Sequence, residues 1–270
     1  MADYIRVLVC GAAGQMGRFV TQAVRKAPDM KVVAAVDNRE VGRDAGELAG
    51  GEVTGTPIVS DLECAIGRGE PDVMIDFTIP DVVRPNMIAA LNKGVRLVVG
   101  TTGIGEATLD EVQALVEQKR LGAVVCPNFS LGANLMMLAA ELAAKHYPYA
   151  EIIELHHEKK KDAPSGTSLL TAELIQEARA KAGFVPAKPP GPEVAARGLA
   201  ASGVPVHSVR LPGYVANQEV MFSDTGEVLT IKHESTSRES FMPGVLMAVR
   251  YVMKNKGLTT SLRDILLSQS

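Results

Sequence analysis

Ile5-Arg6-Val7-Leu8-Val9-Cys10 runs directly into Gly11-Ala12-Ala13-Gly14-Gln15-Met16-Gly17, a junction that sets the architecture on both sides of it. The first six residues are mostly apolar and β-branched and read as a buried strand. The next seven form a G-x-x-G-x-x-G turn. From Gln15 to Lys26 apolar residues then return every three or four positions, as in a helix packed on a sheet. Glycines in such a turn let the backbone bend tightly and approach a pyrophosphate, whose charge the free amides of the helix N-terminus can meet. A purely structural tight turn uses the same glycines, so the pattern gains weight only from its context. That context comes from the next strand, Lys31–Val36, which ends at Asp37, twenty residues beyond Gly17. A carboxylate there can accept hydrogen bonds from adenosine ribose hydroxyls. Arg39 can pair with a 2′-phosphate or stand as a solvated loop charge, so both NADH and NADPH remain open as cofactors.

Further along, strands are expected at Val73–Asp76, Arg96–Val99 and Ala123–Cys126, with amphipathic helices at Val82–Lys93 and Glu106–Lys119. Strands alternating with helices specify a parallel sheet covered on both faces, joined by right-handed crossovers. The loops that follow the strands contribute Phe77, Gly100, Thr101, Thr102, Cys126, Pro127, Asn128 and Phe129, and in an open parallel sheet ligands bind at that edge. Cys126 has no activating neighbour in the sequence and reads as a small buried residue at a strand end, not a nucleophile. The Gly-rich stretch from Gly42 to Ser60 reads as irregular and exposed.

Past Asn134 the pattern changes. A helix to about His146 precedes expected strands at Glu151–His156, Val206–Arg210, Glu219–Phe222 and Val228–His233, with one long helix, Ser168–Ala182, among them. Strands joined by loops suggest an open antiparallel or mixed sheet. Phe184–Pro192 reads as a loop, and the helix Phe241–Lys254 can return to the first domain. The expected division is a dinucleotide-binding domain of residues 1–129 and 240–270, with a substrate-binding and tetramerisation domain of residues 130–239.

Two domains fit a chain of 270 residues, and 46% hydrophobic with 22% charged residues is ordinary for a soluble globular protein. The net charge of −3 gives no reason to expect nucleic acid or an anionic membrane as partner. No apolar run reaches the ~18–20 residues of a spanning helix, and the first residues lack the pattern of a signal peptide. Cys10, Cys64 and Cys126 are widely spaced and form no Cys-x-x-Cys pair, which points to reduced thiols, a cytoplasmic location and no metal site.

The densest set of chemical groups is Glu154-Leu155-His156-His157-Glu158-Lys159-Lys160-Lys161-Asp162-Ala163-Pro164-Ser165-Gly166-Thr167-Ser168. It leaves a strand, crosses a charged loop and enters a helix. Histidines can move protons near neutral pH, and a lysine can give one up or offset a developing negative charge. Ser165, Gly166 and Thr167 at a helix start offer amides and hydroxyls to a carboxylate or phosphate, so a small anionic substrate is expected. A solvated lysine run, a His pair ending a strand and a simple helix cap would produce the same residues, and only a nucleotide site elsewhere in the chain gives the segment chemistry to perform. His146, His207 and His233 look isolated and structural.

This segment resembles the signature of the 4-hydroxy-tetrahydrodipicolinate (dihydrodipicolinate) reductase family, Glu-x-x-His-His-x-x-Lys-x-Asp-Ala-Pro-Ser-Gly-Thr, apart from the spacing of the leading Glu. The resemblance extends to Gly11–Gly17, Asp44-Ala45-Gly46-Glu47-Leu48, Asp76-Phe77-Thr78, Gly100–Gly103, Pro127–Ser130 and Ser237-Arg238-Glu239-Ser240-Phe241. It implies a Rossmann-type α/β domain and a second α+β domain on an open mixed sheet that builds a homotetramer. It also implies NADH or NADPH as hydride source and a dicarboxylate ring substrate on the diaminopimelate route to lysine. By position, His156 is the implied proton donor or acceptor and Lys160 the proton donor. His157 would contact substrate, and Gly166 with Thr167 would bind a carboxylate. Two departures stand in the second domain: Leu211-Pro212-Gly213-Tyr214 in place of a Gly-Gly-Asp type turn, and Asn217 in place of a frequent His. Two other readings remain: a dehydrogenase of like architecture acting on an amino acid or diamine, and a non-catalytic dinucleotide sensor. The first should lack the His-His, Lys and Ser-Gly-Thr set, and the second should have lost its acid.

Overall fold

The computed structural model describes residues 4–184, 191 and 194–268, divided into two compact units, Met1–Phe129 with Phe241–Ser270, and Ser130–Ser240. The expected loop Phe184–Pro192 lies almost wholly outside the described residues.

In the first unit, strands and helices alternate as β1 (Ile5–Cys10), α1 (Gln15–Lys26), β2 (Met30–Val36), α2 (Ala45–Leu48), β3 (Ile58–Val59), α3 (Leu62–Gly69), β4 (Val73–Asp76), α4 (Pro80–Asn92), β5 (Arg96–Val99), α5 (Glu106–Lys119) and β6 (Gly122–Val125). The second unit contributes α6 (Leu131–Ala143), β7 (Tyr149–His156), α7 (Gly166–Lys181), β8 (Leu199–Ala201), β9 (Val204–Arg210), β10 (Ala216–Asp224) and β11 (Glu227–Ser235). The chain then returns to the first unit with α8 (Met242–Lys254), β12 (Gly257–Thr259) and α9 (Leu262–Leu267).

The seven strands of the first unit lie in the order β12-β6-β5-β4-β1-β2-β3, all parallel. Val7, Leu8, Val9 and Cys10 are all fully buried, as a strand between two helical layers must be. Strand order reverses at β1 and β4, and the carboxyl ends of the strands on either side form the crevice where such sheets take ligands. α8 packs over β5 and β6 and against α1.

Gly42–Ser60 departs from the sequence expectation. It holds α2 and β3 and buries Ala45, Leu48, Ala49, Thr56 and Ile58. The organising group is Asp44, whose carboxylate accepts from the amides of Gly46, Glu47, Thr54 and Thr56 at 2.8–3.0 Å. Burial raises its pKa, but these bonds outweigh that and bring it down to about 2. Hydrophobic periodicity carries no trace of such a knot, because side chain to backbone bonds make it. α3, β8, β12 and α9 are likewise too short for periodicity to signal.

The second unit is a mixed five-stranded sheet, β11-β10-β7-β9-β8, in which only β7 and β9 run parallel. Ala150, Ile152 and Glu154 on β7 face inward, as do Val220 and Phe222 on β10, with α6 and α7 completing their core.

Candidate active site

The loops of the first unit draw the expected cofactor residues to the crevice edge of the sheet. Gly11 sits at φ +78°, and a Cβ on Gly17 would collide with the Gly11 carbonyl, so the turn tolerates no side chain at either position. Gly14 caps α1 without any side-chain bond to its first-turn amides, which begin at Gln15, Met16 and Gly17. Asp37 closes the turn from β2, its Oδ2 accepting from the Ala13 amide at 3.0 Å and its Oδ1 from the Arg39 amide at 2.9 Å. Arg39 Nε also reaches Asp37 Oδ1, at 3.4 Å, while the rest of the Arg39 side chain is largely exposed. Beside this turn lies a cleft of about 490 Å3 lined by Ala13, Gly14, Gln15, Arg18, Arg39 and Leu48 among others. A glycine turn of this closeness, first-turn amides without a side-chain cap, a buried carboxylate and two adjacent guanidiniums fit a dinucleotide.

Asp76, at the end of β4, lies outside the expected cofactor-binding residues but organises the next part of the rim. Fully buried, it accepts from Thr78 N (2.9 Å), Thr78 Oγ1 (2.6 Å), Thr101 Oγ1 (3.0 Å) and Asn86 Nδ2 (2.8 Å), joining the loops after β4 and β5. Phe77 stands edge-on to Phe129 with ring centroids 6.0 Å apart, and Gly100 has no Cβ because the Phe77 ring fills that space. Thr102 and Pro127 are exposed, and Asn128 is half-buried. Cys126 is buried, its Sγ donating to the Asn128 carbonyl at 3.2 Å, and burial pushes its thiol pKa up. It is packed as a thiol, not poised as a thiolate.

In the second unit the chemistry-bearing segment is tied down at both ends and in the middle. At the strand end, His156 Nδ1 bonds the Oε2 of Glu154, which is two residues back on the same face of β7. Glu154 is fully buried and also accepts from both terminal nitrogens of Arg210 on β9, at 2.7 and 2.9 Å. Burial alone would raise the Glu154 pKa, but hydrogen bonds from His156, Arg210 and Ser208 bring it down to about 2. In the middle, Arg210 donates to the Asp162 carbonyl at 2.6 Å, and the Asp162 carboxylate pairs with Lys160 Nζ at 2.7 Å. Lys160 is half-buried while Lys159 and Lys161 are exposed, a distinction the lysine run concealed. At the far end, Ser165 caps α7: its Oγ accepts from the Ser168 amide at 3.2 Å and contacts Ser168 Oγ at 2.8 Å. Ser168 bonds Gln218 on β10, and Gln218 bonds Thr171, each at 2.8 Å. Gly166 is exposed with open space where a Cβ would be, and His157 and Thr167 are half-buried.

Sequence reasoning placed Glu154 in this segment without a role, although its i−2 spacing from His156 on a strand was the signal available. Arg210 and Gln218, on strands far along the chain from the segment, gave none. His207 pairs with Glu151 and His233 with Ser130, each at a distance of 3.0–3.1 Å.

Comparison with known proteins agrees along the whole chain. Residues 5–129 match the N-terminal and residues 132–266 the C-terminal family model of dihydrodipicolinate reductase. The 4-hydroxy-tetrahydrodipicolinate reductase of Moorella thermoacetica is 50% identical over 98% of this chain and 99% of its own length. That of Desulfitobacterium hafniense is 46% identical over 97% and 98%. Among solved structures, a dipicolinate-bound dihydrodipicolinate reductase from Paenisporosarcina sp. TG-14 superposes with a TM-score of 0.85 at 38% identity, covering 97% of this chain and 99% of that one. An amine dehydrogenase from Mycobacterium smegmatis, at 14% identity and a TM-score of 0.62, shares the fold alone. Fold, glycine turn and relatives together define a nicotinamide-dinucleotide-dependent oxidoreductase of Rossmann type. Within that class, the chain belongs to the dihydrodipicolinate reductase family.

Proposed function

We propose that the protein reduces 4-hydroxy-tetrahydrodipicolinate to tetrahydrodipicolinate with loss of water, a step of the diaminopimelate pathway to lysine. The observation that carries the assignment is the segment from His156 to Thr167, where a strand-end acid, a half-buried lysine and an exposed helix start are held by three separate anchors. The first unit is the dinucleotide-binding domain, whose cofactor, NADH or NADPH, supplies a hydride. Asp37 has three of its acceptor positions occupied and keeps one for a ribose hydroxyl, while the exposed Arg39 can pair with a 2′-phosphate. Residues 130–239 bind the small dicarboxylate. Ser165, Gly166 and Thr167 hold one carboxylate at the start of α7, and His157 contacts the ring. Lys160 offsets charge and supplies a proton, and His156 moves a proton at Nε2, since Nδ1 is committed to Glu154. The assembly is a homotetramer in the cytoplasm, a compartment in keeping with three unpaired cysteines. No helix among the described residues is long and apolar enough to cross a membrane.

The test follows nicotinamide absorbance, with NADH and NADPH in parallel, as the purified protein meets substrate formed in place from pyruvate and aspartate semialdehyde by the preceding synthase. Rapid oxidation of either cofactor is expected, and the rate ratio ranks the contributions of Asp37 and Arg39. Cofactor binding without oxidation would overturn the assignment.

A further inference from the structure

The inner face of the second sheet carries a buried charged pair whose cost in desolvation calls for a function. Glu154 is fully out of solvent, and Arg210 is mostly so. Isolated charges this deep are expensive, and swapping such a pair for apolar residues is often neutral or stabilising. Within it, Glu154 bonds the ring of His156 and Arg210 bonds Glu154. We infer that Glu154 and Arg210 are positioning residues for the reduction: Glu154 fixes His156 with its proton on Nδ1 and Nε2 as the working nitrogen, and Arg210 offsets the carboxylate so that the ring can still release a proton.

The inference rests on His156 being the proton-transferring group. Its chemistry follows from what each atom can do. An ionised carboxylate only accepts, and Glu154 is ionised throughout the neutral range, so Nδ1 must be the donor in their bond. The Nδ1 proton is therefore retained in both charge states of the ring, and the exchangeable proton sits on Nε2. When Nε2 gives its proton to the substrate, the ring is left neutral with Nδ1–H in place, and water restores the proton afterwards. A lone buried carboxylate at this distance would stabilise the imidazolium and hold back that proton. Arg210, with two bonds to the same carboxylate, opposes the effect. The elements around Glu154 and Arg210 bring few other charges. β9 sets Arg210 itself opposite His156, β10 sets Ala216 opposite His156 and the neutral Gln218 opposite Glu154, α7 contributes neutral Ser165, Ser168 and Thr171, and the loop contributes the Lys160–Asp162 pair.

Opposite consequences follow for the two residues, which a merely structural role would not produce. Glu154→Gln removes the charge that favours the imidazolium, so the limb of the pH–rate profile belonging to His156 should move to lower pH. Arg210→Met leaves the carboxylate unopposed, so that limb should move to higher pH. In both, kcat should fall by about 10²-fold, no further than on loss of His156 itself, while KM for the substrate changes little. Glu154→Asp should restore the limb toward its normal position. Shifts in the same direction, or no shift in either folded variant, would overturn the inference. His156→Gln separates the two levels: if it keeps wild-type turnover, the assignment of His156 fails, whereas loss of the limb there with unmoved limbs in the other two variants sinks only the positioning roles. Should Arg210→Met fail to fold, nitrogen NMR of the His156 ring in the unmodified protein decides the matter. The Nδ1–H form is expected above the titration, and an Nε2–H form would overturn the inference.

Discussion

Lys160 and its neighbours show how three identical side chains in a row can serve different ends. Of the three, Lys160 alone is half-buried and paired with Asp162, and that is the difference the proposed proton source needs from a solvated charge. Lys160→Ala is expected to raise KM and lower kcat together, and steady-state kinetics with both values unchanged would return this lysine to the surface. His156→Gln should lower turnover by ~10²–10⁴-fold, the range for loss of a general acid, with cofactor affinity nearly unchanged by titration of NADH fluorescence. Glu154 also makes stability depend on acid. Its pKa lies at about 2 in the folded protein against 4.5 ordinarily, so its stabilising effect is full above the ordinary value and fades as the pH falls toward the lower one. Urea midpoints of wild type and Glu154→Gln should therefore converge between about pH 5 and about pH 2.5, and a constant gap over that range would contradict the linkage.

At the scale of elements, long periodic segments formed where the pattern placed them, and short ones formed by other means. β1, α1 and α5 begin and end where the apolar run and helical spacing put them: β1 buries Val7–Cys10 between two layers, α1 buries Val20 and Val24, and α5 buries Val112 and Val116. α2 has only four residues and exists because Asp44 caps it and ties the strands of the loop on either side. Asp44→Ala should accordingly cost more than the ~1 kcal/mol of a single helix cap, since four amides lose their acceptor together. Chemical denaturation would check this, and a loss of a few tenths of a kcal/mol would mean that water replaces the carboxylate without difficulty. α7 shows the same division of labour: its spacing gave the helix, but its start is set at Gly166 by the Ser165 cap and the Gln218 bond across to β10.

For the molecule as a whole, the second sheet covers one face with α6 and α7 and leaves Ile153, Leu155 and Met221 on the other, beside a strongly exposed Val228. This open face is the surface on which the proposed tetramer is expected to form, so light scattering should return a tetramer and Ile153→Lys should yield smaller species of near-normal secondary structure. A wild-type monomer would refute the assembly. The sequence by itself determined the parallel domain, the glycine turn with its acid, the mixed second sheet and the proposed catalytic segment, because periodicity, turn chemistry and a contiguous motif are all local properties of the chain. Asp76 joining two loops, the knot around Asp44 and the Arg210 bond to Glu154 beside His156 were decided only by the tertiary structure. The first and last bring together residues from separate loops or strands and the second folds one loop onto a single carboxylate, and such side-chain bonds leave no period in the sequence to read.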